Sequence, residues 1–413
     1  MNLSRENLQY LIDAFEIIAS SLDSKEVLNR IMNQAAKLTG AEAASIFIID
    51  EATSELQLKV ATNLNEEKTQ KISTPIGEGL VGYVAQTGKL INLSNAQNDS
   101  RFYRAIDLIT GITTRSCLTV PLIVENKIVG ATQVLNKAGG KNFSQEDELL
   151  LTEFSRLASV TLNKSWLHEQ IIEKKKIEAD LEIARSIQNK LLPDKELIQN
   201  NFVFNGFYKP AQNIGGDYFD YYPLSANEVF FTVGDVSGKG AQASILMASV
   251  KSFLSASLES SIDFAAIVFR LNNFFFLNSP LDKFITMFLG ILNTENGNLA
   301  YINAGHEPPI IIRNSNEVEE LKSNNFMLGA LDNLEFKTSE SILNAGDILF
   351  VYTDGVTEAK SKDKKYFGLK NLIDQLTNCK NERMDFIKII PEKLNAFTHL
   401  AEQSDDITFM IIK

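Results

Sequence analysis

Apolar and polar positions alternate with two different periods over the first 143 residues. Helical spacing predicts an opening helix through Leu8, Leu11, Ile12, Phe15, Ile18 and Ala19. A second helix carries Val27, Ile31, Ala35 and Leu38, and we expect it to end at Thr39-Gly40, because glycine is favoured just past a helix C-terminus. Short β-rich runs follow at 43–50, 116–124 and 127–136, with a hairpin turn at Glu125-Asn126 between the last two. The pattern predicts an α+β domain.

Residues 144–192 contain no glycine or proline, and charged residues alternate with apolar ones. We predict a helix with Ser144 as its N-cap, which would span about 70 Å at 1.5 Å per residue. Positions spaced four and three apart form two stripes: Leu150, Phe154, Leu157 and Thr161, then Ile177, Leu181, Ala184, Gln188 and Leu191. This spacing is typical of a coiled coil and predicts a homodimer, with a phase slip between Ile171 and Ile177. The alternative is two shorter helices that pack separately on the flanking domains.

After Pro193 the pattern changes to long β-rich runs separated by turns. Strands are predicted at 229–235, 283–293, 298–305, 347–354 and 406–413, with a hairpin at Asn296-Gly297 between two of them. Helical stretches cover 240–277 and 367–399. Many strands with a few long helices and no regular alternation predict α+β with a sheet core.

The overall composition limits the classes of function. The chain has 413 residues, 44% of them apolar, and a formal net charge of −12. The length predicts two or three domains, and the acidic balance disfavours nucleic acid as a partner. No apolar run approaches the roughly 18 residues of a membrane span, and the N-terminus lacks a signal peptide's plan, so we expect a cytoplasmic protein without a membrane partner. The cysteines, Cys117 and Cys379, lack metal-ligand spacing.

The second half of the chain repeats one chemical feature, an aspartate at or beside the end of an apolar strand. These residues are Asp217, Asp235, Asp354 and Asp405. Carboxylate oxygens are the ligands that Mg²⁺ and Mn²⁺ prefer, and two neighbouring cations can activate a water molecule for hydrolysis. A single Asp-Gly after a strand is more often a turn than a ligand. Four such positions in one domain, with no competing cluster of histidine or cysteine, favour a metal site.

Six stretches in this segment match one family in order. They are IGGDYFD (214–220), VGDVSGKGAQAS (233–244), INAGHEPP (302–309), LFVYTDGVTEA (349–359), FGLKNL (367–372) and SDDIT (404–408). The segment resembles the PPM family of metal-dependent Ser/Thr phosphatases, in its bacterial SpoIIE/RsbU branch. The resemblance implies an α-β-β-α sandwich in which Asp217, Asp235, Asp354 and Asp405 are the catalytic residues and hold two Mn²⁺ or Mg²⁺ ions. Asp235 would bridge the ions, the Val236 carbonyl would be a further ligand, and Asp406 would point the other way.

The resemblance also implies the reaction and a class of substrate. A metal-activated water would hydrolyse a phosphoserine or phosphothreonine ester without a phospho-enzyme. The expected partner is a phosphorylated STAS-domain antagonist of an anti-sigma factor. For His306 we favour a loop-shaping hydrogen bond over proton donation, and for Lys209 a solvated side chain over a phosphate contact. The alternatives are a phosphatase for a different phosphoprotein and a ligand-gated, non-catalytic binding module.

Four stretches of the first segment, 44–50, 77–96, 101–122 and 129–148, match a second family. They resemble GAF domains, and in particular the cyclic-nucleotide-binding ones, whose NKFDE signature corresponds to Asn136, Lys137, Phe143, Asp147 and Glu148. The resemblance implies a pocket lined by Ser45, Leu80, Val81, Tyr103, Asp107, Thr110, Ile112, Thr114 and Gln133, with cAMP or cGMP as the candidate ligand. Another ligand, or none, stays open, because Ile112 and Gln133 depart from the phosphodiesterase pattern. The signature residues are equally compatible with a structural role, such as a Lys137–Asp147 ion pair.

Together the patterns predict an α+β protein of three parts. A GAF sensor domain occupies 1–143, with its final helix continuing to about 165. A helical connector occupies 144–192, and the phosphatase domain occupies 193–413. Ligand binding would shift the connector, whose C-terminal part (183–193) adjoins the catalytic domain.

Overall fold

The computed structural model describes residues 23–64, 69, 71–258, 263–323, 325–399 and 401–413. The opening helix predicted through Leu8 and Phe15 lies outside the described residues. The chain divides into two compact units between Lys175 and Lys176. Over the described ranges, no helix combines the length and the apolar content that crossing a bilayer requires.

The first unit is built on one antiparallel sheet with the strand order β3-β2-β1-β6-β5-β4. Its strands are β1 (Ala41–Asp50), β2 (Glu55–Ala61), β3 (Ser73–Pro75), β4 (Ile91–Leu93), β5 (Cys117–Val124) and β6 (Lys127–Lys137). Its helices are α1 (Ser24–Thr39), α2 (Gly79–Thr87) and α3 (Arg104–Thr110). The predicted turn between β5 and β6 is confirmed: Glu125 and Asn126 have φ of 48° and 66°, and positive φ at both central residues is typical of a type I′ hairpin.

Both faces of this sheet are buried. One apolar cluster joins α1, through Val27 and Ile31, to the sheet and to the start of the long helix α4 (Gln145–Leu191). The cluster on the other face joins α2, through Leu80 and Val84, to β1 and β2. The predicted end of α1 at Thr39-Gly40 is confirmed, since Gly40 takes a left-handed conformation with φ of 61°.

The predicted long helix is confirmed as α4, 47 residues in length. The prediction that its first stripe faces a partner helix is wrong, because all four residues are at least 96% buried, and the apolar members pack in the core of their own unit. These residues are Leu150, Phe154, Leu157 and Thr161. In the second stripe Ile177 is 52% exposed, whereas Gln188 is buried. Helical periodicity shows which side is apolar, but not what covers it.

The second unit contains two antiparallel sheets. The first has the order β15-β12-β11-β10-β9 and the second β14-β13-β16-β17-β8-β7. The strands are β7 (Leu197–Gln199), β8 (Phe202–Lys209), β9 (Tyr218–Pro223), β10 (Glu228–Val236), β11 (Ile285–Asn293), β12 (Asn298–Ala304), β13 (Ile310–Ile312), β14 (Val318–Glu320), β15 (Ser339–Ile342), β16 (Ile348–Tyr352) and β17 (Ile407–Ile412).

Helices cover the outer faces of the two sheets. They are α5 (Ala241–Leu258), α6 (Phe264–Asn278), the short α7 (Asp354–Thr357), α8 (Gly368–Asn381) and α9 (Phe386–Thr398). One cluster joins both sheets to α5 and α6, with Phe231, Phe288 and Met410 among its members. A second cluster packs α8 and α9 on the other sheet, through Leu372 and Leu394. This arrangement confirms the predicted α-β-β-α sandwich.

Candidate functional site

The structure brings the four predicted aspartates to one end of the sandwich. Asp217 immediately precedes β9, and Asp235 lies near the end of the neighbouring strand β10. In the other sheet, Asp354 is the first residue of α7, shortly after β16, and Asp405 precedes the paired strand β17. Asp217 and Asp235 are more than 100 positions from Asp354 and Asp405 in sequence. The two pairs meet because each of the four residues lies at or near a strand end at the same edge.

Thr353 joins the two sheets at this edge. Its hydroxyl donates to Asp217 Oδ2, next to the first sheet, at 2.8 Å, while its amide donates to the Thr408 carbonyl of the second sheet at 3.0 Å. The carboxyl groups of Asp217 and Asp235 lie close enough for each to affect the pKa of the other. No sequence pattern singled out Thr353, although it directly precedes Asp354.

The site carries concentrated negative charge. Burial, together with the charges of Asp235 and Asp406, raises the pKa of Asp217 well above its usual value. Burial and the charges of Asp354 and Asp405 raise the pKa of Asp235 to about 7. Burial, with Asp405 as the strongest neighbouring charge, raises the pKa of Asp354 to about 6. These like charges, held close together in a partly buried site, oppose ionisation of all the carboxyl groups at once.

The donor set fits hard divalent cations. Every side chain of the cluster offers carboxylate oxygens, and the one ammonium group in the described contacts is Lys239, which binds Asp405 Oδ2 at 2.9 Å. Among the described residues, no three Asp, Glu, His or Cys side chains close around a single point. A cation here would complete its shell with backbone oxygens and water, which is how Mg²⁺ is usually held.

Asp406 contributes more to this site than the sequence indicated. Its buried carboxylate accepts hydrogen bonds from the amides of Ala211 at 2.7 Å and Gly216 at 2.8 Å. Its charge also raises the pKa of Asp217 and Asp235. It thus holds the loop that leads to Asp217. In the sequence, the Gly215-Gly216 pair was the sign that another group approaches this loop closely, since a Cβ on Gly215 would lie 2.1 Å from Asp406 Oδ2.

The surroundings of His306 and Lys209 agree with the structural interpretations favoured from the sequence. His306 is buried, its Nδ1 lies 3.1 Å from the Thr286 hydroxyl, and burial lowers its pKa to about 4. It is therefore a neutral structural group near pH 7, and its amide donates to Asn303 Oδ1 within the same loop. Lys209 is exposed at the end of β8.

All nine residues predicted to bind a ligand in the first unit line one cavity. The cavity encloses about 680 Å³, counted out to its open mouth. Leu80 and Val81 lie in the first turn of α2, where no side chain caps the helix amides. Asp107 is already engaged, since its two carboxylate oxygens accept from the amide and the hydroxyl of Thr114 at 2.8 and 2.7 Å. The remaining members are Ser45, Tyr103, Thr110, Ile112 and Gln133.

Comparison with known families decides what the two units are. A family model described as Stage II sporulation protein E (SpoIIE) matches residues 225–413, and a GAF domain model matches residues 23–162. Residues 23–162 therefore belong to a GAF domain, and residues 225–413 belong to a SpoIIE-family domain. Both resemblances expected from the sequence are thereby confirmed.

Curated relatives match the two domains separately or in part. The chain is 29% identical to Protein IcfG of Synechocystis sp. over 56% of its own length and 41% of that protein. It is 27% identical to Phosphoserine phosphatase RsbU of Bacillus subtilis, over 46% of this chain and 57% of that protein. It is 29% identical to the probable 3',5'-cyclic phosphodiesterase pde-5 of Caenorhabditis elegans, over 40% of this chain and 24% of that protein. The chain thus spans between about a quarter and just over half of these relatives.

A solved structure supports the fold of the SpoIIE-family domain. The SiaA-PP2C domain of Pseudomonas aeruginosa superposes with a TM-score of 0.51 at 22% identity, covering 58% of this chain and 98% of that domain. At this identity the likeness concerns the fold alone.

The signature residues of the GAF domain form a brace between its sheet and α4. Lys137 pairs with Asp147, whose side chain is 6% exposed, and its ammonium lies 5.7 Å from the centre of the Phe143 ring. Asn136 accepts from the Arg115 amide at 2.7 Å, and Glu148 accepts from Asn92 at 2.8 Å. These residues do not line the cavity, so their contacts agree with the structural interpretation of the signature.

Proposed function

We propose that this protein is a metal-dependent protein serine/threonine phosphatase. The observation that carries the proposal is the cluster of Asp217, Asp235, Asp354 and Asp405, which two sheets bring to one edge, where neighbouring charges raise the pKa of the first three. A fold without this function gains nothing from such a cluster, because like charges brought together in a partly buried site destabilise it.

The four aspartates, with the Val236 carbonyl, would hold two Mn²⁺ or Mg²⁺ ions. When bound, such ions supply an activated water and neutralise the phosphoryl oxygens. The chain's own residues set the geometry: Thr353 orients the Asp217 carboxylate, and Asp406 fixes the loop before it. The half-exposed side chain of Lys239 adds a positive charge beside Asp405.

For the substrate we propose a phosphoserine protein of the STAS type that antagonises an anti-sigma factor. The support is the sequence resemblance together with the name of the relative RsbU, a phosphoserine phosphatase. The net charge of −12 agrees with a protein partner rather than a nucleic acid.

Phosphate release from a phosphoserine protein and from p-nitrophenyl phosphate tests the proposal. Wild type should turn over with Mn²⁺ and stop in EDTA, and Asp235→Asn should lose at least about 10³-fold, because a bridging ligand supports both ions. The matched control is Asp374→Asn, an exposed aspartate on α8, which should keep full activity. Absence of turnover under every metal condition would contradict the proposal and favour a non-catalytic binding module.

We propose further that the GAF cavity binds cAMP or cGMP. The uncapped first turn of α2 at Leu80 and Val81 offers backbone amides and a helix dipole to a phosphate. Gln133, which donates to the Thr119 hydroxyl at 2.9 Å, places an amide in the same cavity for a base edge.

Calorimetric titration of the full chain with each nucleotide tests the ligand. Gln133→Leu keeps the side-chain volume but removes the amide, so we expect affinity to fall about tenfold or more. Gln97→Leu, an exposed glutamine of the same domain, should bind as wild type does. No heat from either nucleotide at millimolar concentration would assign the cavity to a different ligand.

We also propose that α4 dimerises the protein through the part that its own domains leave uncovered. Six large apolar side chains are at least 50% exposed there: Leu167, Ile171, Ile172, Ile177, Ile183 and Ile187. Light scattering should find a dimer that Ile171→Glu disrupts and that His168→Glu, at an exposed polar position, does not. A monomeric wild type would contradict this.

If the ligand signal passes through α4, a proline at Glu173, near the phase slip, should abolish any effect of cAMP or cGMP on phosphatase activity. An unchanged nucleotide response in that variant would contradict the coupling.

A further inference from the structure

The last turns of α4 are hydrogen bonded to the loop of the metal centre through one side chain. Gln188 is 2% exposed, and its Nε2 donates to the Gly215 carbonyl at 2.7 Å. Its Oε1 accepts from the Gly215 amide at 3.3 Å and from the Tyr208 hydroxyl at 3.2 Å. One amide group therefore satisfies both backbone groups of a single buried glycine.

The loop that Gln188 holds also contacts Asp406 and Val236. The next amide, that of Gly216, donates to Asp406 Oδ2 at 2.8 Å. A Cβ on Gly216 would lie 2.8 Å from the Val236 carbonyl oxygen, so the loop also packs against a proposed ligand. Asp217 follows directly. A displacement of Gly215 would therefore move the carboxylate of Asp217 and the surroundings of the Val236 carbonyl together.

We propose that Gln188 is a positioning residue of the metal centre, which sets the place of Asp217 through the backbone of Gly215. The inference rests on the proposed phosphatase function and names a residue that the four aspartates depend on. Removing the amide leaves the carbonyl and the amide of Gly215 without a partner in a buried place, and the loop must shift to recover partners. Weaker cation binding follows from that shift. If Gln188 only docked the helix, its loss would lower stability and leave cation binding unchanged.

Binding of Mn²⁺ to the full chain, followed by the loss of its free electron paramagnetic resonance signal, tests the proposal without requiring turnover. Gln188→Leu should bind Mn²⁺ at least about tenfold more weakly, the scale of one or two lost buried hydrogen bonds. The Mn²⁺ concentration for half-maximal phosphate release should rise in parallel, while the rate at saturating Mn²⁺ should fall less. Gln170→Leu, the same substitution at an exposed position of α4, should behave as wild type does.

Tyr208→Phe removes one of the three hydrogen bonds and should weaken Mn²⁺ binding about threefold. It decides the question if Gln188→Leu does not fold, and wild-type Mn²⁺ affinity in Tyr208→Phe would then overturn the proposal. A Gln188→Leu protein that melts earlier in EDTA but binds Mn²⁺ with wild-type affinity would also overturn it. Absence of turnover in wild type would remove the proposed function instead, and the Mn²⁺ titration would still decide the role of Gln188.

Discussion

Gly355 lies where the backbone after Asp354 meets the backbone of Asp405 and Asp406, and its lack of a side chain permits this approach. It follows Asp354 at the start of α7 and faces the backbone of Asp405 and Asp406. A Cβ at this position would lie 1.8 Å from the Asp406 carbonyl oxygen and 2.8 Å from the carbonyl carbon. The backbone conformation of Gly355 is not a left-handed one, so the effect of Gly355→Ala is steric alone.

The size of the displacement sets the expected effect. Real Cβ contacts are essentially never shorter than 3.0 Å, so the two backbone segments must separate by about 1 Å. Such crowding costs about 1–3 kcal/mol of stability. A misplacement of about 1 Å costs about 10²-fold in rate when it disturbs a catalytic geometry. Because the separation moves Asp354 away from Asp405, we expect Gly355→Ala to lose about 10² in kcat and to need more Mn²⁺.

The assay is initial phosphate release from p-nitrophenyl phosphate across a range of Mn²⁺ concentrations, beside urea unfolding in EDTA. Gly368→Ala is the matched control, since Gly368 has a φ of 77° and open space around its Cβ. That variant should lose about 1–2 kcal/mol through backbone strain, yet keep wild-type kcat in the folded protein. A Gly355→Ala enzyme with kcat within threefold of wild type at saturating Mn²⁺ would refute the reasoning.

Four further predictions concern buried charges, and urea unfolding measures each. In EDTA, the stability of wild type should fall as the pH rises from about 4 to about 7, because the raised pKa of Asp235, about 7 against 3.8, means that the unfolded state releases its proton first. At pH 8, Asp235→Asn should raise the free energy of unfolding by at most about 4 kcal/mol and so raise the urea midpoint. A midpoint equal to or below that of wild type would contradict this. Lys137→Met leaves Asp147 buried without its cation and should destabilise the GAF domain by about 3 kcal/mol, whereas Lys59→Met, at an exposed site, should cost under about 0.5 kcal/mol. Lys251→Met leaves the Asp220 carboxylate, whose side chain is 3% exposed, without its cation and should lower the stability of the SpoIIE-family domain by about 3 kcal/mol. A loss below about 1 kcal/mol would show that hydrogen bonds from the Tyr218 hydroxyl and the Tyr221 amide are sufficient for that carboxylate.

The sequence predicted many of the longer elements of both domains and singled out the aspartates of the proposed metal centre. Local signals were sufficient for the hairpin at Glu125-Asn126 and for the end of α1 at Gly40, because turns and caps depend on a few neighbouring residues. The nine residues that the family resemblance implied for the pocket line one cavity. Asp217, Asp354 and Asp405 flank apolar strands and Asp235 lies near the end of one, and strands that meet at one edge bring these aspartates together.

Only the tertiary structure decided what covers each surface and which side chain bonds to which. The stripe from Leu150 to Thr161 has the spacing of a coiled coil, yet it packs in the core of the GAF domain. Gln188 continues the apolar pattern of α4 in sequence, but its amide bonds to Gly215, 27 residues away. Asp406 bonds to Gly216 across 190 residues. Periodicity and motifs report local geometry, whereas these contacts depend on how distant segments meet once the chain has folded, and no local pattern contains that information.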